Sequence, residues 1–179
     1  MNSCTKPVYL LILMLGLFAG CSSNLTKKPA NTVNKSSALY QKLEKTSLAK
    51  HLPIPVQGVT RGQLVDTWGN ARSQGRSHEG IDILAKRGTP VSSATDGFIS
   101  KITRYGAGGN AITIVSYALS QHYYAHLDRF GSYKMGDPVK MGDVLGYVGS
   151  TGNASTPHLH YGIYLYPNRV ATNPYLYLR

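Results

Sequence analysis

The chain has 179 residues, of which 19 are lysine or arginine and eight are aspartate or glutamate, giving a formal net charge of +11. This length suffices for one folded domain with additional segments. With two cysteines, Cys4 and Cys21, the composition excludes a small domain held together by several disulfides. The positive charge favours an anionic partner, and the N-terminal segment indicates which partners the chain can meet.

Residues 1–20 have the features of a signal peptide. Lys6 supplies a positive charge, and residues 8–19 are apolar apart from Gly16. This run is shorter than the about 20 residues that span a bilayer, but it suits a secretory signal. The sequence Leu-Phe-Ala-Gly-Cys at positions 17–21 resembles the lipobox of bacterial lipoproteins. The resemblance implies cleavage before Cys21 and its lipidation, with a plain signal peptide or a membrane-anchored helix as the alternative.

Export and lipidation would place the protein at a membrane through its lipid anchor. Under the sorting rule of enterobacteria-like cells, Ser22 in place of an aspartate after Cys21 predicts the outer membrane, with the protein facing the periplasm. Nucleic acid is not an expected partner, because an exported lipoprotein does not meet it.

Residues 21–52 are predicted to be a basic, flexible tether. Up to about residue 37 the composition is mainly serine, asparagine, threonine, lysine and proline, with little to bury. Six lysines against Glu44 favour acidic lipid head groups or wall polymers as contacts, and a solvated linker fits as well. Ser37 can cap a short helix that extends to Leu48. Pro53 and Pro55 end that helix, and the folded domain is predicted to cover residues 53–179.

The domain after residue 52 is typical of an all-β fold. It shows no long amphipathic helix, and short β-prone runs alternate with glycine-containing turns. We predict strands at residues 81–84, 90–94, 97–105, 111–117, 122–126, 144–149 and 158–166. That many short strands in one domain indicates a β-sandwich or a barrel.

Histidines and one aspartate suggest a metal site within these strands. His158 and His160 point the same way if their segment is extended, because strand side chains repeat every two residues. His78 and Asp82 would likewise share a face. Two imidazoles from His78 and His160 and one carboxylate from Asp82 form a ligand set that suits a catalytic zinc with an open position for water. His158 is then well placed to handle protons.

A helical zinc motif is the alternative for the first of these segments. His78-Glu79-x-x-Asp82 looks like H-E-x-x-H, whose ligands meet on one helix face. Gly80 and the β-branched Ile81 disfavour a helix here. We therefore favour a strand, in which Glu79 points away from the metal.

Three motifs in order carry a family resemblance. They are His78-x-Gly80-x-Asp82, Tyr124-Ala125-His126-Leu127 and Pro157-His158-Leu159-His160. Together they resemble the lysostaphin-like (LytM-type) zinc metallopeptidases of peptidoglycan, over about residues 53–173. The resemblance implies a two-layer antiparallel β-sandwich with a narrow groove. It also implies one Zn²⁺ per chain on His78, Asp82 and His160, with His126 and His158 as the catalytic pair.

The same resemblance implies a substrate and leaves a second function open. The expected substrate is the peptidoglycan stem peptide, and the expected role is cleavage of cross-links in wall remodelling or division. Arg76, His122 and Asn110 are candidate substrate-binding residues, although His122 also suits a structural role and Arg76 a solvated loop. Some members of the family have lost metal ligands and activate cell-wall amidases instead. Here all five positions are filled, and an amidase or division partner remains the alternative.

Overall fold

The computed structural model describes residues 48–116, 119–166 and 168–179. The predicted signal peptide, Cys21, the tether up to residue 47 and most of the predicted helix after Ser37 lie outside the described residues. Within the described ranges, no helix is long and apolar enough to cross a membrane.

Nine strands form one sheet in the described part of the chain, and their pairings are antiparallel. They are β1 Ile81–Leu84, β2 Pro90–Ser92, β3 Gly97–Thr103, β4 Asn110–Val115, β5 Gln121–Phe130, β6 Pro138–Val139, β7 Val144–Val148, β8 His158–Leu165 and β9 Val170–Thr172. Short 3-10 turns occupy Arg61–Gln63, Ser73–Gly75 and Pro174–Leu176. The all-β prediction is confirmed, while β6 and β9 were not predicted.

The long strand β5 joins two groups of strands. The main path of the sheet runs β1-β8-β5-β4-β3-β6, and β7 connects β2 to β5. The first half of β5, from Gln121 to Ala125, pairs with β8, whereas the second half, from Leu127 to Phe130, pairs with β7. His126 lies at the residue where the partner strand changes.

Hydrophobic burial fixes which side chains face the core. Ile81 and Ile83 of β1, together with Leu159 of β8, are at most 2% exposed and belong to one cluster that also includes residues of β2 and β7. Burying a large aliphatic side chain contributes about 1.5–3 kcal/mol, and a one-residue slip would expose all of them. The intervening residues, such as Asp82 and His160, are therefore held on the opposite face.

Candidate active site

Three predicted metal ligands meet in the structure. His78 Nε2 lies 2.9 Å from His160 Nδ1 and 3.1 Å from Asp82 Oδ1, and the last two atoms are 3.2 Å apart. A tetrahedral ion with bonds of about 2.0 Å separates its ligands by about 3.3 Å. The three donor atoms therefore form one triangular face of the size that a single zinc ion requires.

The protonation states of His78, His160 and Asp82 favour the binding of a cation between their three donor atoms. His78 Nδ1 lies 2.8 Å from the Thr67 carbonyl oxygen and donates to it, so Nε2 carries a lone pair in the neutral ring. Burial lowers the pKa of His160, which keeps that ring neutral. Burial alone would raise the pKa of Asp82, but its contacts with His160, His78 and Arg72 outweigh burial and hold the pKa below its usual value, so the carboxylate is ionised. His78 Nε2, His160 Nδ1 and Asp82 Oδ1 can each offer a lone pair to the same point, and a bound cation would satisfy all three.

The second carboxylate oxygen of Asp82 has its own partner. The Arg72 guanidinium donates to Asp82 Oδ2. This ion pair fixes the carboxylate so that Oδ1 faces the two imidazoles.

His78 reaches the site by a different route from the one that the sequence predicts. The strand β1 begins only at Ile81, so His78 does not share a strand face with Asp82. Instead, His78 N donates to the Asn70 carbonyl at 2.9 Å, and Gly69 N donates to the His78 carbonyl at 3.0 Å. Thr67 joins the two ligands, since its carbonyl accepts from His78 and its hydroxyl accepts from Asp82 N at 3.0 Å. Thr67 was not predicted from the sequence, because a threonine in a loop belongs to no motif.

Gly80 is required by the close approach of β8. A Cβ at this position would lie 2.6 Å from the Tyr161 carbonyl oxygen and 2.7 Å from Cε1 of the His160 ring. Both distances are below 3.0 Å, a separation that real Cβ atoms essentially never show. The absent side chain therefore lets the His160 imidazole lie directly against the segment that leads into β1.

The predicted catalytic histidines lie side by side, next to the three predicted metal ligands. The ring centroids of His126 and His158 are 4.8 Å apart. His126 Nδ1 lies 2.8 Å from the Thr151 carbonyl, and His158 Nδ1 lies 2.8 Å from the Thr156 carbonyl. Each carbonyl anchors Nδ1 and leaves Nε2 for chemistry. Burial lowers the pKa of His126, so this ring is neutral and can accept a proton.

His126 has a backbone conformation that is unusual inside a strand. Its φ is +63°, in the left-handed region, which costs a non-glycine residue on the order of 1–3 kcal/mol. Surrounding hydrogen bonds hold it there: His126 N donates to the Gly108 carbonyl at 2.9 Å, and Asn110 Nδ2 and Thr151 Oγ1 donate to the Leu127 carbonyl at 3.1 and 2.9 Å. The unusual φ turns the His126 side chain out of the core-facing register and into the cleft.

An open cleft of about 830 Å³ contains the four histidines and Asp82. Arg76 lines it as predicted, but His122 and Asn110 do not, and their assignment to substrate binding is corrected. His122 is fully buried, with Nδ1 2.7 Å from the Tyr161 hydroxyl, and burial lowers its pKa to about 3. Asn110 uses its amide on the carbonyls that follow His126.

The sequence profile of peptidase family M23 matches residues 76–174 of this chain. The chain belongs to peptidase family M23. The predicted resemblance to lysostaphin-like peptidases is thereby confirmed, and the matched range includes all five site residues.

Curated M23 relatives include two endopeptidases. The L-Ala–D-Glu endopeptidase of Bacillus subtilis is 35% identical over 160 residues, which cover 82% of this chain and 48% of the relative. The DD-carboxypeptidase/endopeptidase Mpg of Neisseria meningitidis is 46% identical over 86 residues, which cover 48% of this chain and 20% of the relative. The chain thus spans about half or less of the length of these relatives.

Solved M23 structures share the fold. The catalytic domain of lysostaphin from Staphylococcus simulans matches with a TM-score of 0.54 and 33% identity, covering 60% of this chain and 85% of that domain. Csd3 of Helicobacter pylori matches with a TM-score of 0.59 and 30% identity, covering 73% of this chain and 34% of that protein. M23 members are zinc metallopeptidases, and this M23 chain contains the His78–Asp82–His160 site that such an ion would occupy.

Proposed function

We propose that this chain is a zinc-dependent endopeptidase that hydrolyses peptide bonds in peptidoglycan cross-links. The observation that carries the proposal is the convergence of three donor atoms, 2.9–3.2 Å apart, beside a second pair of histidines in an open cleft. The substrate class is supported by the relatives, which include the L-Ala–D-Glu endopeptidase and the glycyl-glycine endopeptidase ALE-1 of Staphylococcus capitis.

The residues divide into a binding group and a proton-transfer group. His78, Asp82 and His160 would hold zinc, which when bound acidifies water and polarises a carbonyl. His126 and His158 present Nε2 towards the cleft because their Nδ1 atoms are anchored on backbone carbonyls. A neutral imidazole there accepts the proton of the attacking water and later returns it to the leaving amine, and an imidazolium stabilises the developing negative charge.

The cleft also offers a group suited to an anionic peptide. Arg76 is exposed, and within the described residues its guanidinium donates hydrogen bonds only to Ser73, from Nε and Nη2 at 3.3 Å. A guanidinium binds a carboxylate through two parallel hydrogen bonds. We therefore assign Arg76 to recognition of the carboxylates of the stem peptide.

Purified domain and isolated sacculi test this function. We expect about one zinc per chain after gentle purification and release of soluble muropeptides on digestion. A chelator should stop the release, and added zinc should restore it. Protein that holds no zinc, or that releases nothing alone but stimulates a cell-wall amidase, would overturn the proposal in favour of the amidase-activator alternative.

The location of the enzyme is a separate proposal that rests on the sequence. Lipidation of Cys21 would anchor the chain to the outer membrane, facing the periplasm, where it meets its substrate. Cys21→Ser should move the full-length protein from the membrane fraction to the soluble fraction of cells. Unchanged membrane association of this variant would refute the lipid anchor.

A further inference from the structure

Tyr123 lies on the floor of the cleft, next to the metal ligands. It precedes Ala125 on the same face of β5, and both line the cleft. In the pairing with β8, Ala125 is opposite His160 and Tyr123 is opposite Gly162. Same-face residues on one strand are about 7 Å apart, so Tyr123 occupies the next position along the floor from the metal site.

The ring and the hydroxyl of Tyr123 lie between the two halves of the active site. The ring contacts the His160 ring edge-on, with centroids 5.9 Å apart and an interplanar angle of 69°. The hydroxyl lies directly against Gly108, since a Cβ on that glycine would be 2.0 Å from the oxygen. The Gly108 carbonyl in turn accepts from His126 N at 2.9 Å. The ring therefore lies beside a predicted metal ligand, and the hydroxyl lies against the backbone that positions a predicted catalytic histidine.

The hydroxyl of Tyr123 takes no part in the hydrogen bonds within the described part of the fold. Across residues 48–116, 119–166 and 168–179, no group forms a hydrogen bond with it. Other tyrosine hydroxyls are used inside the fold: that of Tyr124 accepts from Ala94 N at 2.9 Å, and that of Tyr161 bonds His122 at 2.7 Å. A phenylalanine would pack against His160 equally well, so the hydroxyl remains available as a donor to a group that enters the cleft.

We propose that Tyr123 contacts the substrate, and that its hydroxyl donates a hydrogen bond to the carbonyl oxygen of the peptide bond being cleaved. This inference rests on the proposed endopeptidase function and adds a residue to its site. A donor at this position strengthens its hydrogen bond as the oxygen gains negative charge, so it acts mainly on the transition state.

Tyr123→Phe tests the inference, with Tyr105→Phe as the matched control. Tyr105 is 87% exposed and lies outside the cleft, so its variant removes a phenolic hydroxyl without touching the site. Both variants should keep the wild-type zinc content and melting temperature. We expect Tyr123→Phe to lower kcat on purified cross-linked muropeptides about 10- to 100-fold with little change in KM. A kcat within about twofold of the Tyr105→Phe value would overturn the inference.

Measurements of muropeptide binding distinguish a failure of this inference from a failure of the proposed function. If the wild-type protein cleaves no muropeptide, the endopeptidase proposal fails, and the same zinc-loaded proteins are titrated calorimetrically with the muropeptides. Binding at least about fivefold weaker in Tyr123→Phe than in Tyr105→Phe would still support Tyr123 as a substrate contact. Equal binding by the two variants, or no binding by the wild type, would overturn it.

Discussion

The buried His122 predicts a specific loss of stability in acid. Its side chain is fully enclosed, and burial lowers its pKa from 6.5 to about 3, so the folded protein keeps it neutral. The unfolded chain takes up a proton below about pH 6.5, whereas the folded chain does so only near pH 3. The stability due to this neutral histidine is therefore complete above pH 6.5 and is lost as the pH falls towards 3.

The magnitude follows from the difference between the two pKa values. Each pH unit between them costs about 1.4 kcal/mol, so the free energy of unfolding should fall by about 2.7 kcal/mol between pH 7 and pH 4.5 through His122 alone. The chain has five other histidines, so a variant is needed to isolate the effect of His122. His122→Gln retains a polar group near the Tyr161 hydroxyl but cannot titrate.

Urea unfolding of zinc-free wild type and His122→Gln at pH 7.0, 5.5 and 4.5 measures the effect. The variant should be less stable at pH 7, because a glutamine side chain does not fill the fully buried site of the imidazole ring that bonds Tyr161 at 2.7 Å. The difference in the free energy of unfolding between the two proteins should be about 2.7 kcal/mol smaller at pH 4.5 than at pH 7. Only the wild type is destabilised by protonation of residue 122 in its unfolded chain. A gap that is independent of pH would refute the neutral, buried state of His122.

Two further substitutions test how the active site is positioned. Asn110→Ala removes two hydrogen bonds to the carbonyls after His126. We expect the free energy of unfolding, measured in urea, to fall by about 2 kcal/mol. We also expect kcat on muropeptides to fall about tenfold while metal analysis shows an unchanged zinc content. Unchanged kcat would contradict the positioning role of Asn110. Gly80→Ala forces a Cβ against the His160 ring, and zinc affinity measured by competition with a chelator should fall at least about tenfold. If the variant binds zinc with wild-type affinity, the close contact between residue 80 and the His160 ring is not required for metal binding.

Strand periodicity predicts part of this site and fails at one residue of β5. It correctly places His158 and His160 on the cleft side, because β8 is a regular strand whose apolar residues are buried on the other face. Alternation along β5 would put His122 and His126 on one face. The φ of +63° at His126 breaks the alternation, so His126 enters the cleft while His122 stays in the core.

Local sequence patterns do not predict contacts between segments that are distant along the chain. The His78 backbone is hydrogen-bonded to Gly69 and Asn70, and both of these residues lie in a loop. Thr67 and Thr151 orient His78 and His126 through backbone carbonyls, which any residue type could supply. The ligand types could be predicted from the sequence because metal chemistry restricts them, whereas the groups that orient the ligands could not.

In the proposed function, two groups of residues in the cleft have different roles: His78, Asp82 and His160 bind the metal, and His126 and His158 move protons. His158→Ala tests it most directly, because His158 is assigned to chemistry and its Nε2 stands 3.7 Å from Asp82 rather than within the ligand triangle. Sacculi digested with wild type and with this variant should be compared by mass spectrometry of the released muropeptides, alongside the zinc content of each protein. We expect about one zinc per chain in both proteins, cleavage products from the wild type, and at least about 100-fold fewer products from the variant. Undiminished products from His158→Ala, or loss of its zinc, would contradict the division.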